Sequence, residues 1–337
     1  MQTLEGRYYS DPTIFALERS KVFQHTWHMV GHEGQIEKAG DYISTTIAGA
    51  NVFVMRGEDG KVRAFRNVCR HRGALLLAAG EGNCPEIKCK YHDWRYSPQG
   101  TLKDTPWYGE ATPFDINSLS LYSVPVELWR GLIFLSLEPK GSLLEQLGDL
   151  PKTIENAPLE TFSVGAQRTF TAPVNWKIYV DQYCEAYHVP TTHSPDKAID
   201  MQNYDTHPHN NMMLMQTLGD TATKGASYYG GKWIWAWPNW TLALFDGGMK
   251  TSRLEPLSAS ETRVHYHFFF SDMSPEAESA RARVVEATSS IFWEDIAGCE
   301  LVQANHPAIG FHSGPMHPRL EEAVAYFQRR IRAAVDE

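Results

Sequence analysis

The sequence predicts an α+β protein of two parts. Short strand-like segments crowd the first 140 residues, the composition changes after Pro139, and helices alternate with strands from there on. A length of 337 residues, about twice that of an ordinary domain, agrees with two cores. In the first part Asp41–Gly49, Asn51–Arg56, Lys61–Arg66 and Gly131–Leu137 read as strands, the second and third joined by a turn over Gly57-Glu58-Asp59-Gly60. Between Gly73 and Gly100 they give way to loops rich in Cys, His, Gly and Pro. After Pro139, residues 143–159 read as a linker with a short helix. Asn175 to Pro190 reads as a helix stopped by its proline. Strands return at Trp233–Phe245 and Arg263–Phe270, followed by helices near Pro275–Gln303 and Pro318–Val335. The last is amphipathic, with Leu320, Val324, Phe327, Ile331 and Val335 at steps of three or four. The expected division is 1–140, with a β core at about 28–138, and 141–337.

Composition removes several function classes. The 31 Lys and Arg against 40 Asp and Glu give a formal charge of −9 with no basic run, which argues against nucleic acid and anionic membrane as partners. No apolar run approaches the roughly 18 residues of a membrane span. The N-terminus lacks a basic start followed by an apolar core, so the expected compartment is the cytoplasm. Five cysteines, an odd number in a long chain, do not suggest a disulfide framework.

Two constellations carry chemistry. Cys69-Arg70-His71, then 17 residues, then Cys89-Lys90-Tyr91-His92 form two clips, each with one thiolate and one imidazole. Such a set suits a tetrahedral zinc or a [2Fe–2S] cluster with two Cys on one iron and two His on the other. Because each clip is mixed, the asymmetric cluster is the better match. Cys84, Cys184 and Cys299 read as ordinary thiols. In the second constellation Asp181, Glu185 and His188 step along one face of the expected helix. His193 lies beyond Pro190 and must return from the following loop. Two imidazoles and one carboxylate make the facial set of a non-haem Fe(II) site with open positions. The segment from Phe292 to Gln303 supplies three acids, Glu294, Asp295 and Glu300, among which the pattern alone does not choose.

GDYISTTIAGANVFVMRGEDGKVRAFRNVCRHRGALL with CKYHDWRYSPQGTL resembles the Rieske domain of the Rieske non-haem iron (ring-hydroxylating) oxygenases. NWK…EAYHVPTTH with WEDIAGCELVQ is similar to their catalytic domain. The resemblance implies an all-β Rieske domain followed by an α+β catalytic domain with a helix-flanked antiparallel sheet of helix-grip type. It implies Cys69, His71, Cys89 and His92 as cluster ligands, with Trp94 and Tyr96 packing the loops, and His188, His193 and Asp295 as ligands of a mononuclear Fe(II). Glu294 and Glu300 are then supporting or structural. Glu185 stands where the family bridges the iron site to the Rieske cluster of a neighbouring subunit. Asp93 stands where the family commonly has Gly, and Gln182 where Asn is common.

What the resemblance implies about activity is an oxygenase component, monooxygenase or dioxygenase, taking O2 as co-substrate. Electrons derive from NAD(P)H through a separate flavin/iron-sulfur reductase, since the chain has no Gly-x-Gly-x-x-Gly fingerprint. A head-to-tail homotrimer is implied as well. Glu rather than Asp at 185 points to the quaternary-ammonium branch, acting on compounds of the betaine, carnitine or choline type. Trp233, Trp235 and Trp237 alternate on one strand face, either as an aromatic cage for such a cation or as a core face. Met212, Met213, Leu214 and Met215 line the pocket or pack; His207 and His209 read as a surface loop, and His265 and His267 as structural. The rivals are hydroxylation or O-demethylation of an aromatic acid, and a non-catalytic Rieske electron carrier, which leaves the second metal set without a purpose.

Overall fold

The computed structural model describes residues 1–108, 114–194, 199–217, 232–307 and 311–336. It divides into two compact units, Gln24–Lys140 and a second made of Met1–Phe23 with Gly141–Glu337. The first 23 residues, expected with the N-terminal domain, therefore belong with the C-terminal unit. Their short helices α1 (Arg7–Ser10) and α2 (Pro12–Leu17) bury Tyr8, Tyr9 and Ile14, and Asp11 caps α2 by accepting from the Thr13 amide. Leu4 N donates to Gln328 and the Tyr8 hydroxyl to Asp336, so the C-terminal helix takes up the apolar start of the chain.

The unit Gln24–Lys140 is built on strands. In order they are β1 (His28–His32), β2 (Asp41–Ile47), β3 (Ala50–Arg56), β4 (Val62–Arg66), β5 (Gly80–Asn83), β6 (Ile87–Lys88), β7 (Arg95–Tyr96), β8 (Leu102–Asp104), β9 (Ser123–Val124), β10 (Val126–Trp129) and β11 (Leu132–Leu135). They form three antiparallel sheets, β5-β2-β3-β4-β9, β1-β11-β10 and β6-β7-β8. The two-residue period of β3 decides what lies where. Val52 and Val54 point into a core with Ile43, Ala64, Ile133 and Leu135. Phe53 and Met55 point the other way, into a second core that holds Cys69, Cys89, Trp94 and Tyr96. The Cys/His loops thus rest on one face of the five-stranded sheet.

The other unit continues with α3 (Leu143–Leu147), α4 (Leu150–Thr153), β12 (Ser163–Ala172), α5 (Trp176–Tyr183) and α6 (Val189–Thr192). Strands β13 (Tyr204–His209), β14 (Met212–Thr217), β15 (Lys232–Ala236), β16 (Trp240–Phe245), β17 (Gly248–Ser258) and β18 (Glu261–Phe270) follow, then α7 (Glu278–Asn305) and α8 (Glu322–Asp336). One seven-stranded antiparallel sheet runs β12-β18-β17-β16-β15-β14-β13. Helices cover one face of it: Tyr179 of α5 meets Tyr266, Phe292 of α7 stacks on Phe170, and Phe327 of α8 abuts Trp235.

Three expectations are revised. The Asn175 helix ends at Tyr183 with Cys184 as its C-cap, and Pro190 opens α6 rather than closing α5, because a proline lacks only an amide that a first turn leaves unpaired anyway. Asp181, Glu185 and His188 therefore do not share one helical stripe. His207 and His209 lie on the edge strand β13, not in a loop. Among the described residues no helix is long and apolar enough to cross a membrane.

Candidate metal centres

Asn175 starts α5 by accepting from the Lys177 amide, while its own amide group donates to the carbonyls of Tyr9 and Ala259. Past Cys184 the Glu185 carboxylate takes over as a cap: it accepts from the backbone amides of Tyr187 and His188, turning the chain so that His188 begins α6 and His193 ends it. One turn of helix thus presents both imidazoles to α7. There Asp295, on the same long helix as Glu294, meets them.

Ligand atoms of His188, His193 and Asp295 lie within 4.8 Å of one another. Asp295 Oδ1 is 3.1 Å from His193 Nε2 and 3.6 Å from His188 Nε2. Each imidazole is gripped from behind by a glutamate: His188 Nδ1 lies 2.6 Å from Glu185 and His193 Nδ1 2.7 Å from Glu294. This arrangement engages Nδ1 of each ring and points both Nε2 atoms toward Asp295. Gln182 Nε2 is 2.8 Å from His188 Nε2. Burial opposes a charge on His188, but hydrogen bonds and charges from Asp295 and Glu185 outweigh it and push its pKa up to about 9. His193 is raised in the same way. Burial would raise the Asp295 carboxyl, yet the two imidazoles hold it below its ordinary value. The cluster is an electronegative pocket that attracts a cation, and two nitrogens with one buried oxygen lacking a hydrogen-bond partner fit a metal ion of intermediate softness. Glu300, on the exposed side of α7, is not part of it.

In the other unit the two clips fold alike. Gly73 N donates to the Cys69 carbonyl at 3.0 Å and Asp93 N to the Cys89 carbonyl at 2.9 Å, each closing a loop on a residue of positive φ, +75° and +60°. Gly accepts that geometry freely and Asp is among the few other residues that tolerate it. Salt bridges from Lys88 at 2.8 Å and Arg95 at 2.9 Å hold the Asp93 side chain. The loops bring like with like: the His71 and His92 rings are 4.6 Å apart, and the Cys89 thiol is close enough to Cys69 to help raise it. The thiols are buried and the imidazoles half-exposed. Burial, with Cys89 nearby, raises the Cys69 thiol, and Tyr96 Oη sits 3.3 Å from its sulfur. His71 stacks on Trp94 at 4.9 Å, and its buried Nδ1 has no hydrogen-bond partner. Sulfur at one end, nitrogen at the other and an unsatisfied ring nitrogen between the loops fit the asymmetric [2Fe–2S] group better than a single tetrahedral zinc.

The remaining residues singled out in the sequence fall elsewhere. Cys84 donates to the Glu86 carbonyl, and Cys184 and Cys299 are buried free thiols. His265 pairs with Glu255 at 2.7 Å. A cavity of about 100 Å³ adjoins the triad, lined by Tyr179, Tyr204, Tyr266, Phe292 and Trp233 among others. Of the alternating tryptophans only Trp233 reaches it; Trp235 packs on Phe327 at 5.2 Å and Trp237 lies under Arg330 at 4.3 Å. The three-tryptophan cage is thus replaced by a wall of tyrosines, which no local pattern in the sequence marks.

A family model described as the catalytic domain of the ring hydroxylating alpha subunit matches residues 159–337, and a Rieske [2Fe-2S] domain model matches residues 26–119. The carnitine monooxygenase oxygenase subunit of Escherichia coli (strain K12) is 28% identical over 322 residues, covering 92% of this chain and 85% of that one. The chloroplastic choline monooxygenase of Atriplex hortensis is 26% identical over 338 residues, covering 96% and 76%. Among solved structures a quaternary ammonium Rieske monooxygenase, described in connection with carnitine oxidation and inter-subunit electron transfer, superposes with a TM-score of 0.89 at 25% identity, over 99% of this chain and 95% of that one. Naphthalene 1,2-dioxygenase with indole bound shares the fold at a TM-score of 0.84 and 21% identity, over 100% and 92%. This chain belongs to the family of ring-hydroxylating alpha subunits, oxidoreductases that combine a Rieske [2Fe–2S] domain with a catalytic domain for a mononuclear iron and dioxygen.

Proposed function

We propose that this oxygenase subunit hydroxylates or oxidatively demethylates a small quaternary ammonium compound, with His188, His193 and Asp295 holding the mononuclear iron and Cys69, His71, Cys89 and His92 the cluster. The observation that carries the iron assignment is the pair of imidazoles whose Nδ1 atoms are both engaged by glutamates, so that both Nε2 atoms are presented to one buried carboxylate. When bound, the two groups supply single electrons and dioxygen activation. The chain's own residues do the rest. Glu185 and Glu294 engage Nδ1 of each imidazole and fix its rotation, so that Nε2 is the atom left for a metal, which would take the place of the proton that the nearby carboxylates favour. The tyrosine-rich wall excludes water and offers ring faces to a methylated ammonium. The likeness to carnitine and choline monooxygenases supports this substrate class.

In this reading the exposed edge of His71 and His92 meets Glu185 of a neighbouring subunit in a head-to-tail trimer, and a separate flavin/iron-sulfur reductase supplies electrons from NAD(P)H. Glu185 is suited to the link because one carboxylate contacts His188 Nδ1 and also caps the adjoining backbone. The test is a single turnover of the reduced, iron-loaded protein with oxygen against betaines, carnitine, choline and aromatic acids, assaying formaldehyde and hydroxylated products. Product from a quaternary ammonium compound is expected; product from aromatic acids alone overturns the substrate assignment.

A further inference from the structure

Gln182 is the only residue of α5 that lines two cavities. With Tyr179 and Tyr183 it faces the space of about 100 Å³ beside the triad, and with Ile178 and Asp181 an adjoining one of about 310 Å³. Both sets follow the helical spacing of three and four residues, and Gln182 is where they meet. Glu185, His188 and Asp295 also line both cavities, so these four side chains form the partition between them. The Gln182 amide reaches to 2.8 Å from His188 Nε2. A first-row divalent metal holds an imidazole nitrogen at about 2.1 Å, so two ligands at right angles on it stand about 3 Å apart. Asp295 Oδ1 has that spacing to His193 Nε2, at 3.1 Å, and the Gln182 amide has it to His188.

The end nearest His188 is the amide nitrogen. An N–H of Gln182 bonds Nε2 only through that nitrogen's lone pair, and a metal on Nε2 takes the same pair. The other end, Oε1, is buried and has no hydrogen-bond partner among the described residues, a costly state for an amide oxygen. A half-turn of the carboxamide about χ3 exchanges the two ends without changing its shape. Both faults are then removed together: the nitrogen leaves a place where nothing accepts from it, and the oxygen gains a partner. Carboxamide oxygens are ordinary ligands of divalent cations. We infer that Gln182 is a fourth protein ligand of the mononuclear metal, through Oε1, so that an octahedral ion bound by one oxygen of Asp295 keeps two open positions rather than three. This rests on the assignment of His188, His193 and Asp295 as metal ligands and extends it. The amide oxygen is uncharged and weakly basic, so its loss costs metal retention modestly and is read chiefly in the number of waters the metal carries.

The probe is Mn(II) alone, loaded into the mononuclear site of the full chain with its Rieske cluster oxidised and therefore diamagnetic. Broadening of the Mn(II) EPR lines by water enriched in the magnetic oxygen isotope counts the waters on the metal. The wild type should carry one water fewer than Gln182→Leu, which has no amide, and one fewer than Gln182→Asn, whose amide ends about 1.5 Å short. Both variants should also release Mn(II) to a chelator more readily, by about 10-fold. Gln182→Glu, of the same length and with an oxygen at either end, should keep the wild-type water count and hold Mn(II) at least as tightly. The cluster absorption spectrum and melting temperature of each variant show that it is folded. An equal water count in the wild type and in folded Gln182→Leu or Gln182→Asn, or an added water in Gln182→Glu, overturns the ligand role of Gln182 and leaves the triad standing. Asp295→Ala tests the triad: it should lose Mn(II), and retention at the wild-type level in that variant overturns the metal assignment itself, and this inference with it.

Discussion

At the scale of single residues, the two glutamates behind the imidazoles make separable predictions. Glu294 holds His193 at Nδ1 and also accepts from Ser290 Oγ, so Glu294→Ala should weaken iron retention about 10- to 100-fold, as loss of a ligand-orienting carboxylate does elsewhere, with the cluster absorption unchanged. Competition against a chelator measures it. Glu185→Gln should keep iron and cluster yet lower product per turnover if Glu185 carries the proposed link, because the amide still caps Tyr187 and His188 but has lost the charge. Full single-turnover yield in that variant would remove Glu185 from the link. Asp93 answers a different question. With φ at +60° and two basic partners, it trades backbone strain for ion pairing. Asp93→Ala keeps the strain and loses the pairs, and should be less stable than Asp93→Gly by about 1 kcal/mol in denaturant unfolding.

Elements show where sequence reading succeeds and where it stops. The amphipathic C-terminal helix was legible because burial on one side imprints a period, which α8 carries plainly, and β3, buried on both faces, was legible as a short apolar run rich in valine bounded by turn residues. The Cys/His clips were legible because their ligands are close in the chain. The break after Tyr183 was not, since nothing in YCEAYH forbids helix; the turn is made by a side chain, Glu185, capping amides two and three residues ahead. Nor was the cavity wall, because Tyr204, Trp233, Lys250 and Tyr266 come from four strands and meet only through register. The alternation of Trp233 and Trp235 gave their common face but not what covers each. Trp235, fully buried against Phe327, should cost about 3–5 kcal/mol when cut to Ala. Trp233→Ala should cost much less in a melting experiment and act mainly on substrate KM.

At the scale of the whole molecule, the C-terminal unit hides a charged seam. Lys177 and Glu18, both fully buried, pair at 2.6 Å, and Trp176 Nε1 donates to the same carboxylate. Nearby Asp181 accepts from Tyr9 and Gln328. Burial raises its carboxyl to about 7; hydrogen bonds from Tyr9 and Gln328 and the charge of Lys177 only partly oppose this, and Glu321 adds to it. A carboxyl that holds its proton more tightly when folded stabilises fully below its unfolded pKa of about 4. That contribution is lost as pH rises toward 7. Asp181→Asn, which can still accept from Tyr9 and Gln328, should therefore gain stability over the wild type between pH 4 and 7 and hold the gain above it, as unfolding at pH 5 and pH 8 would show. The seam also joins distant parts of the chain, since Glu18 and Tyr9 precede the β unit while Lys177, Asp181 and Gln328 follow it. The ends of that unit lie side by side, Gln24 O accepting from Glu138 N at 3.0 Å. As the ribosome delivers the chain, residues 24–140 can close into their own fold while the first 23 wait, idle, for a helix some three hundred residues later. The segment made before the β unit finds its place only after it, and a ribosome stalled before α8 would hold a finished electron-transfer module tethered to an unfinished oxygenase.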